Sequence, residues 1–336
     1  MAENGAPLVS VIIPAYNAAE TIGACLEGVL ASDYPDFEVI VVDDGSTDRT
    51  AEVAAGFKPV KLVSKENGGS ASARNRGAGA ARGEMLYFLD ADVVVFPDTI
   101  SLHADTLKEH GVDLVMGRYS RQPMNDGLVH HYKAMSDYVY LVPGRLRNTV
   151  YIDGQIGGGG DFYSRRAFAR AGGYDEAIKG AGVEREDLWL RFYDLGYRSA
   201  ANPLIKTRHY FPDFPAIAGN YWSRILGTLS LLKGRPATLT YMRKSKYIGA
   251  ALSAWSALAL AAAAAILGGE RGWLAAASGA ALLSYGCFSW EFLLETLKHK
   301  GLSMTLKLVP LHLFFISLIC VSGAIATVRV RLEKSR

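Results

Sequence analysis

Cysteine is scarce in this chain of 336 residues; there are three, and they are scattered. Cys25 falls in a segment of helical periodicity, while Cys287 and Cys320 lie in apolar runs. No disulfide framework is available, and a reducing compartment is expected. Net charge is also slight, formally +3. The basic surplus gathers beside the apolar C-terminal third without any nucleic-acid-binding motif. Attraction to anionic lipid accounts for it, and no nucleic-acid partner is expected. Internal repeats and low-complexity tracts are missing, apart from the alanine run Ala261–Ala265, which excludes solenoids and arrays. The opening MAENGAPLVSV has neither the basic n-region nor the apolar h-region of a signal peptide, so the globular part is expected to stay on the side where it is made.

The last third supplies what the rest lacks. Tyr247–Leu267 carries no charged residue over a length that can cross a hydrocarbon core, for which about 20 helical residues suffice. Trp273–Trp290 is a second apolar segment, and Leu302–Val328, with Lys307 and Pro310 near its start, is a third. Small residues (Gly279, Ala280, Ser284, Gly286) would let such helices approach closely. Arg235, Arg243, Lys244 and Lys246 precede the first span, which by the positive-inside rule places the globular part in the cytoplasm of a multi-pass protein of the cell (inner) membrane. Arg329, Arg331, Lys334 and Arg336 form a basic tail that argues against an odd number of crossings, so the side of the C-terminus stays open. Ile217–Leu232 places Trp222, Ile225, Leu226, Leu229 and Leu232 on one helical face and reads as an interfacial amphipathic helix.

Before that third, strands and helices alternate. Val9–Ile13, Glu38–Val42 and Val60–Val63 are short apolar runs, each followed by a helical repeat: Ala19–Leu30, Thr50–Ala55 and Ser70–Ala81. Met85–Asp92, MLYFLDAD, is a fourth run that ends in two carboxylates. Parallel neighbours need crossovers, so this alternation predicts an α/β fold with a mainly parallel, nucleotide-binding sheet. Helices near Asp98–Glu109, Arg165–Ala171 and Arg185–Leu195 and strands near Leu114–Gly117 and Leu204–Thr207 continue it, around a less regular, Tyr-rich stretch from Ser120 to Gly160. The Gly157–Gly160 run lacks the setting of a dinucleotide fingerprint and is expected to let backbone approach a ligand closely.

Parallel strands bring their carboxyl ends to one edge, and each loop there offers polar groups. These are Pro14-Ala15-Tyr16-Asn17, Asp43-Asp44, Asn67-Gly68-Gly69, and Asp90 with Asp92. An aromatic face, an acceptor for a base and hard oxygen donors for a divalent ion are the parts that hold a nucleoside diphosphate. An Asp-x-Asp tripeptide alone is as often a solvated turn.

The combination is more specific. Val9–Asn17, Val41–Asp48, Asn67-Gly68-Gly69 with Ala73-Arg74-Asn75, and Phe88–Asp92 together resemble, in order and spacing, the family 2 glycosyltransferases of GT-A fold. The resemblance covers about Val9–His209. It implies inverting transfer of a sugar from a UDP- or GDP-sugar with Mg²⁺ or Mn²⁺. Pro14, Tyr16 and Asp44 would line the base pocket, Asp90 would reach ribose or metal, Asp92 would hold the metal, and Arg74 would point toward the diphosphate. His209, by analogy with related enzymes, would be a further metal ligand, although a lone histidine beside aromatics is more often a core residue.

The same resemblance calls for a general base in the second half: a Glu-Asp pair seven residues before an arginine, after a Gly-Gly-Tyr-Asp-Glu loop. The loop is present (Gly172–Glu176), as is Arg191, but counting back places Glu184 on the Glu and Arg185 on the Asp. Glu186-Asp187 matches in identity two residues late, a rotation of roughly 200° on a helix. Asp187 is the favoured base, with Glu184 and Glu186 as rivals; Asp187 could instead simply pair with Arg191. An acceptor that is a lipid phosphate, already ionised, would need no base. A non-catalytic nucleotide-sugar-binding subunit is a further alternative. Processive polysaccharide synthesis is disfavoured because no Gln-x-x-Arg-Trp motif occurs. The expected layout is a GT-A-like catalytic domain over residues 1–212 (1–118 donor half, 119–212 acceptor half), an interfacial segment over 213–246, membrane helices over 247–328 and a basic tail over 329–336. The acceptor is expected to be a membrane lipid or lipid-linked molecule.

Overall fold

The computed structural model describes residues 6–140, 149–152, 158–178, 183–231, 253–257 and 272–334. The chain divides into two compact units, Met1–Phe211 and Pro212–Arg336.

The first unit is built on one sheet with strand order β3-β2-β1-β4-β8-β6-β9-β5. Its first half is a parallel crossover series: β1 (Val9–Ala15), α1 (Ile22–Leu30), β2 (Phe37–Asp43), α2 (Thr50–Ala55), β3 (Val60–Ser64), α3 (Ser70–Ala80) and β4 (Met85–Phe88). The chain moves outward from β1 to β3, then returns to lay β4 on β1's other side. That reversal leaves a crevice at the carboxyl ends of β1 and β4, where open α/β sheets bind ligands. The inner strands are mostly apolar, with Val11, Ile12, Ile13, Val41, Val42 and Tyr87 fully buried, because helices cover both faces. Helix α3 sits closest: a Cβ at Gly77 would meet Ile12 Cγ2 at 2.3 Å.

The rest of the sheet is mixed. β8 (Asp161–Ser164) runs antiparallel to β4 and to β6 (Leu114–Tyr119), β9 (Ser199–His209) is parallel to β6, and β5 (Val93–Val95) is antiparallel to β9. A mainly parallel sheet is therefore correct for the first four strands and not for the remainder. Helix α4 (Thr99–His110) follows β5, α5 (Leu128–Tyr140) occupies part of the stretch that looks irregular in sequence, β7 (Tyr151–Ile152) pairs with β9, α6 (Arg165–Arg170) follows β8, and α7 (Val183–Asp194) precedes β9. Gly159 and Gly160 take positive φ, and a Cβ on Gly160 would strike Phe88 O at 2.6 Å. Gly160 thus lies close against strand β4, while a Cβ on Gly159 would meet Thr207 Oγ1 of β9 at 3.0 Å.

The second unit contains α8 (Phe214–Leu231), α9 (Gly272–Phe288) and α10 (Trp290–Lys334), the last broken at Gly301 by φ 80° and ψ 171°. Phe214 and Tyr221 of α8 pack their rings on Phe315 of α10. Trp290–Gly323 is long and apolar enough to cross a membrane, with mean hydropathy 2.0 in its most apolar window. It is the one such helix among the described residues. The expected span Tyr247–Leu267 lies outside the described residues except for 253–257, which are helical. Helix α9, at 17 residues, is short for a crossing.

Candidate active site

The β1 and β2 loops are fastened to each other. Asn17, with φ 49°, receives Thr47 N–H on Oδ1 at 2.9 Å and donates its own N–H to Ser46 Oγ at 3.0 Å. This holds the backbone on either side of Tyr16, whose ring is left 53% exposed beside half-buried Pro14. Asp44 is buried under the same loops. Its carboxylate accepts Lys65 Nζ at 2.6 Å, Gly68 N–H at 3.0 Å and Gly69 N–H at 2.8 Å, and its carbonyl accepts Asn67 Nδ2 at 3.0 Å. Asn67-Gly68-Gly69 therefore acts as a cradle for Asp44, a role for Asn67 that its sequence context did not disclose.

On the other side of β1, Leu89 N–H bonds to Ile12 O at 3.0 Å, and the chain turns over Asp90 and Asp92. Strand β5 pairs Val93 with His209, and Tyr210 N–H donates to Asp92 O at 2.8 Å. This register brings Asp92 Oδ1 within 3.4 Å of His209 Nε2. Asp92 Oδ1 and His209 Nδ1 are both buried without a hydrogen-bond partner. Burial, and then the neighbouring Asp90, push the Asp92 carboxyl up to about 7. Burial lowers His209 to about 4, which leaves it neutral at physiological pH.

Arg74 links this turn to helix α7. Its Nη2 donates to Asp90 Oδ1 and its Nη1 to Glu184 Oε1, both at 2.8 Å, while Ser70 Oγ also donates to Glu184 Oε1 at 2.8 Å. Burial works to raise Asp90, but Arg74 outweighs it and holds the carboxyl below its usual range. Of the other two base candidates, Asp187 is held by Arg191, at 2.8 Å from Nε and 2.7 Å from Nη2, and Glu186 is half-buried on the same helix. Asp161 at the head of β8 is buried, faces Arg185 at 3.5 Å and is raised by burial. A lone aspartate after a glycine run gives no signal in the sequence.

The Asp92 and His209 pair suits a divalent cation. Two ligands on one ion at about 2.1 Å each and at right angles stand roughly 3 Å apart. Asp92 Oδ1, buried and without a hydrogen-bond partner, stands 3.4 Å from His209 Nε2, close to that spacing. No group of three or more His, Cys, Asp or Glu residues that could hold a metal ion occurs among the described residues. That is the usual case for an ion whose remaining ligands are substrate phosphates and water.

A reversal of strand order, with acids, an exposed tyrosine and an anchored arginine at the carboxyl edge of a mixed sheet flanked by helices, is a GT-A-like α/β architecture. Residues 10–170 match the family model described as Glycosyl transferase family 2. Glycosyltransferase GlyG of Streptococcus pneumoniae is 34% identical over 136 residues, 39% of this chain and 45% of that protein. Glycosyltransferase AglE of Haloferax volcanii is 41% identical over 128 residues, 36% of this chain and 42% of that protein. The chain thus spans less than half the length of these relatives. The mannosyltransferase PcManGT of Pyrobaculum calidifontis, solved with GDP-Man and Mn²⁺, superimposes with a TM-score of 0.58 at 21% identity, over 96% of this chain and 88% of that one. That likeness is one of fold.

Proposed function

We propose that the protein is a membrane-anchored inverting glycosyltransferase that moves a sugar from a nucleotide-diphosphate donor to a membrane lipid or lipid-linked acceptor. The observation that carries this reading is the meeting of Asp92 and His209 beside the Arg74–Asp90 pair, at the edge where Asp44 and Tyr16 frame a crevice. Tyr16 stacks on the base and Pro14 closes the pocket behind it. The buried Asp44 carboxylate, held by Lys65 and two backbone N–H groups, forms the floor of the base pocket for uracil or guanine. Asp90 serves the ribose or the metal. Asp92 and His209 would hold Mg²⁺ or Mn²⁺, which supplies charge neutralisation for the departing diphosphate. Arg74 keeps Asp90 ionised and turned into the site, and it adds positive charge near the diphosphate. That the mannosyltransferase of the same fold was solved with GDP-Man and Mn²⁺ supports the donor class and the metal.

Membrane attachment is supported by α10, whose Leu302 and Leu306 are each 63% exposed, as lipid-facing residues would be. A globular part on the cytoplasmic side and an interfacial role for α8 complete this reading. Tethering raises the effective concentration of a lipid acceptor at the site. The test uses the full chain purified in detergent and a panel of UDP- and GDP-sugars. Metal-dependent sugar transfer or hydrolysis with one donor is expected. Donor binding without turnover, with any acceptor, would favour a non-catalytic binding subunit.

A further inference from the structure

Helix α10 does not run straight from Trp290 to Gly323. The rings of Phe292 and His312 stack at 4.3 Å, and Ser289 Oγ lies 3.2 Å from His312 Nε2. On a straight helix Phe292 and His312 would stand about 30 Å apart. The chain folds back at Gly301, whose φ of 80° and ψ of 171° leave the helical region, and Thr305 Oγ1 donates to Gly301 O at 2.9 Å just past the turn. Helical hydrogen bonds continue from α9 through Ser289 into the first arm: Ser289 N–H donates to Tyr285 O at 2.9 Å and Leu293 N–H to Ser289 O at 3.0 Å. Residues 272–300 and 302–334 are therefore two antiparallel arms of one hairpin.

The fold-back sets two uncharged stretches side by side. Residues 272–290 and 308–328 contain no Asp, Glu, Lys or Arg, and each is about 30 Å long as a helix, the thickness of a hydrocarbon core. Beside them polar groups pair inward, Ser253 Oγ with Ser284 Oγ at 2.9 Å and Ser278 Oγ with Ala257 O at 2.9 Å, while Leu283 and Val321 are exposed. That is the arrangement of a structure whose solvent is lipid. Every Asp, Glu, Lys and Arg between Gly272 and Val328 falls within residues 291–307, at the tip. From Leu308 to Gly301 the second arm carries this tip about 10 Å past the uncharged band, against a headgroup layer about 5–8 Å deep on each side of the bilayer.

Within the tip Phe292, Thr296, Thr305 and Leu308 are buried, and Leu294, Leu297, Leu302 and Leu306 are exposed. Lys298 and Lys307 are exposed among those leucines, whereas Glu291 and Glu295 are half-buried and Glu295 faces His299 at 3.3 Å. The charge offered outward is therefore cationic. We infer that the Gly301 tip binds the headgroup layer of an anionic phospholipid surface, with its leucines against interfacial lipid and Lys298 and Lys307 on phosphate oxygens. The inference rests on the membrane-anchored reading and gives that anchor its lipid partner. In water the tip would leave four leucines uncovered; among headgroups it covers them, while the lysine stems run along apolar surface and keep their ammonium groups at the phosphates.

The experiment uses the full chain with Cys287→Ser and Cys320→Ala, Cys25 being buried, and a fluorescent dye on Ser303→Cys. It is reconstituted in vesicles of phosphatidylcholine alone, or of phosphatidylcholine with one part in four phosphatidylglycerol. Lipid carrying a nitroxide on its headgroup should quench the dye, at least twofold more strongly when phosphatidylglycerol is present. Lys298→Gln with Lys307→Gln should remove that increase, and Lys298→Arg with Lys307→Arg should keep it, which separates loss of charge from loss of fold. A dye quenched by aqueous iodide and not by lipid in either vesicle overturns the inference and leaves the leucines to a protein or a second copy of this chain. Equal lipid quenching in both vesicles, or an increase that survives the two changes to Gln, also overturns it. A dye on Leu283→Cys reads the anchor by itself: quenching by a nitroxide deep in the acyl chains is expected, and its absence would remove the membrane anchor, and the inference with it.

Discussion

Arg74 Nη1 and Glu184 Oε1 meet at 2.8 Å although 110 residues separate them. The contact ties helix α3, which follows the glycine cradle of Asp44, to helix α7 in the second half of the unit. Arg74→Ala leaves Glu184 buried without its cation and frees Asp90, and it should cost roughly 3–5 kcal/mol of stability. Adding Glu184→Ala should cost less than the sum of the two single changes, with a coupling of about 0.5–3 kcal/mol measured by denaturant unfolding. Additive losses would mean that the pair contributes nothing as a pair.

Gly77→Ala should destabilise by about 1–3 kcal/mol, because Ile12 is fully buried and its branched side chain has no room to give. Since α3 also carries Arg74, nucleotide binding should weaken along with the unfolding midpoint. An unchanged midpoint would show that α3 is packed more loosely on β1 than the 2.3 Å approach implies.

His103 is fully buried between Tyr87 and Phe162, and burial lowers it to about 4 despite its hydrogen bond to Thr99 O. The unfolded chain takes up this proton near 6.5 and the folded chain only near 4. Acid therefore favours unfolding across that window, by up to roughly 3 kcal/mol from this residue. This contribution should be level above pH 7 and should fall between pH 6.5 and 4, offset in the same window by Asp92, whose raised carboxyl takes up its proton in the folded chain first. His103→Leu should flatten part of the slope, the remainder belonging to His209 and other groups. A slope unaltered in His103→Leu would place the titration elsewhere.

Much of the donor side was legible in sequence, because parallel strands and their helices are local and each apolar run ends in its own polar loop. Pro14 is instructive. It was expected to end the first strand, yet β1 continues to Ala15. Ile12 O bonds toward β4, so Pro14, two residues on, faces the same way, where β4 has already ended and no N–H is needed. Strand β9 was seen only in its second half, since Ser-Ala-Ala-Asn-Pro reads as a loop. Asn202 instead anchors that segment through Thr106 Oγ1 at 2.8 Å and caps Leu204 N–H at 3.0 Å, while the β6 register shifts between Met116 and Arg118. The meeting of His209 and Asp92 depends on β5, three valines too short to recognise as a strand alone. The pairing of Asp187 with Arg191 is an i, i+4 contact that the sequence does offer, but the partner of Glu184 is beyond its reach: which of two registers of α7 faces the sheet is decided by tertiary contact, which periodicity does not report.

The central claim is that Asp92 and His209 hold a cation on which a nucleoside diphosphate depends. Calorimetric titration of UDP and GDP into the full chain in detergent, with Mn²⁺ and with EDTA, tests it most directly. At least one nucleotide should bind with Mn²⁺ and lose tenfold or more in affinity with EDTA, and Asp92→Asn should abolish that dependence without lowering the unfolding midpoint. Binding that is indifferent to metal in the wild type, or equally metal-dependent in Asp92→Asn, would contradict the account.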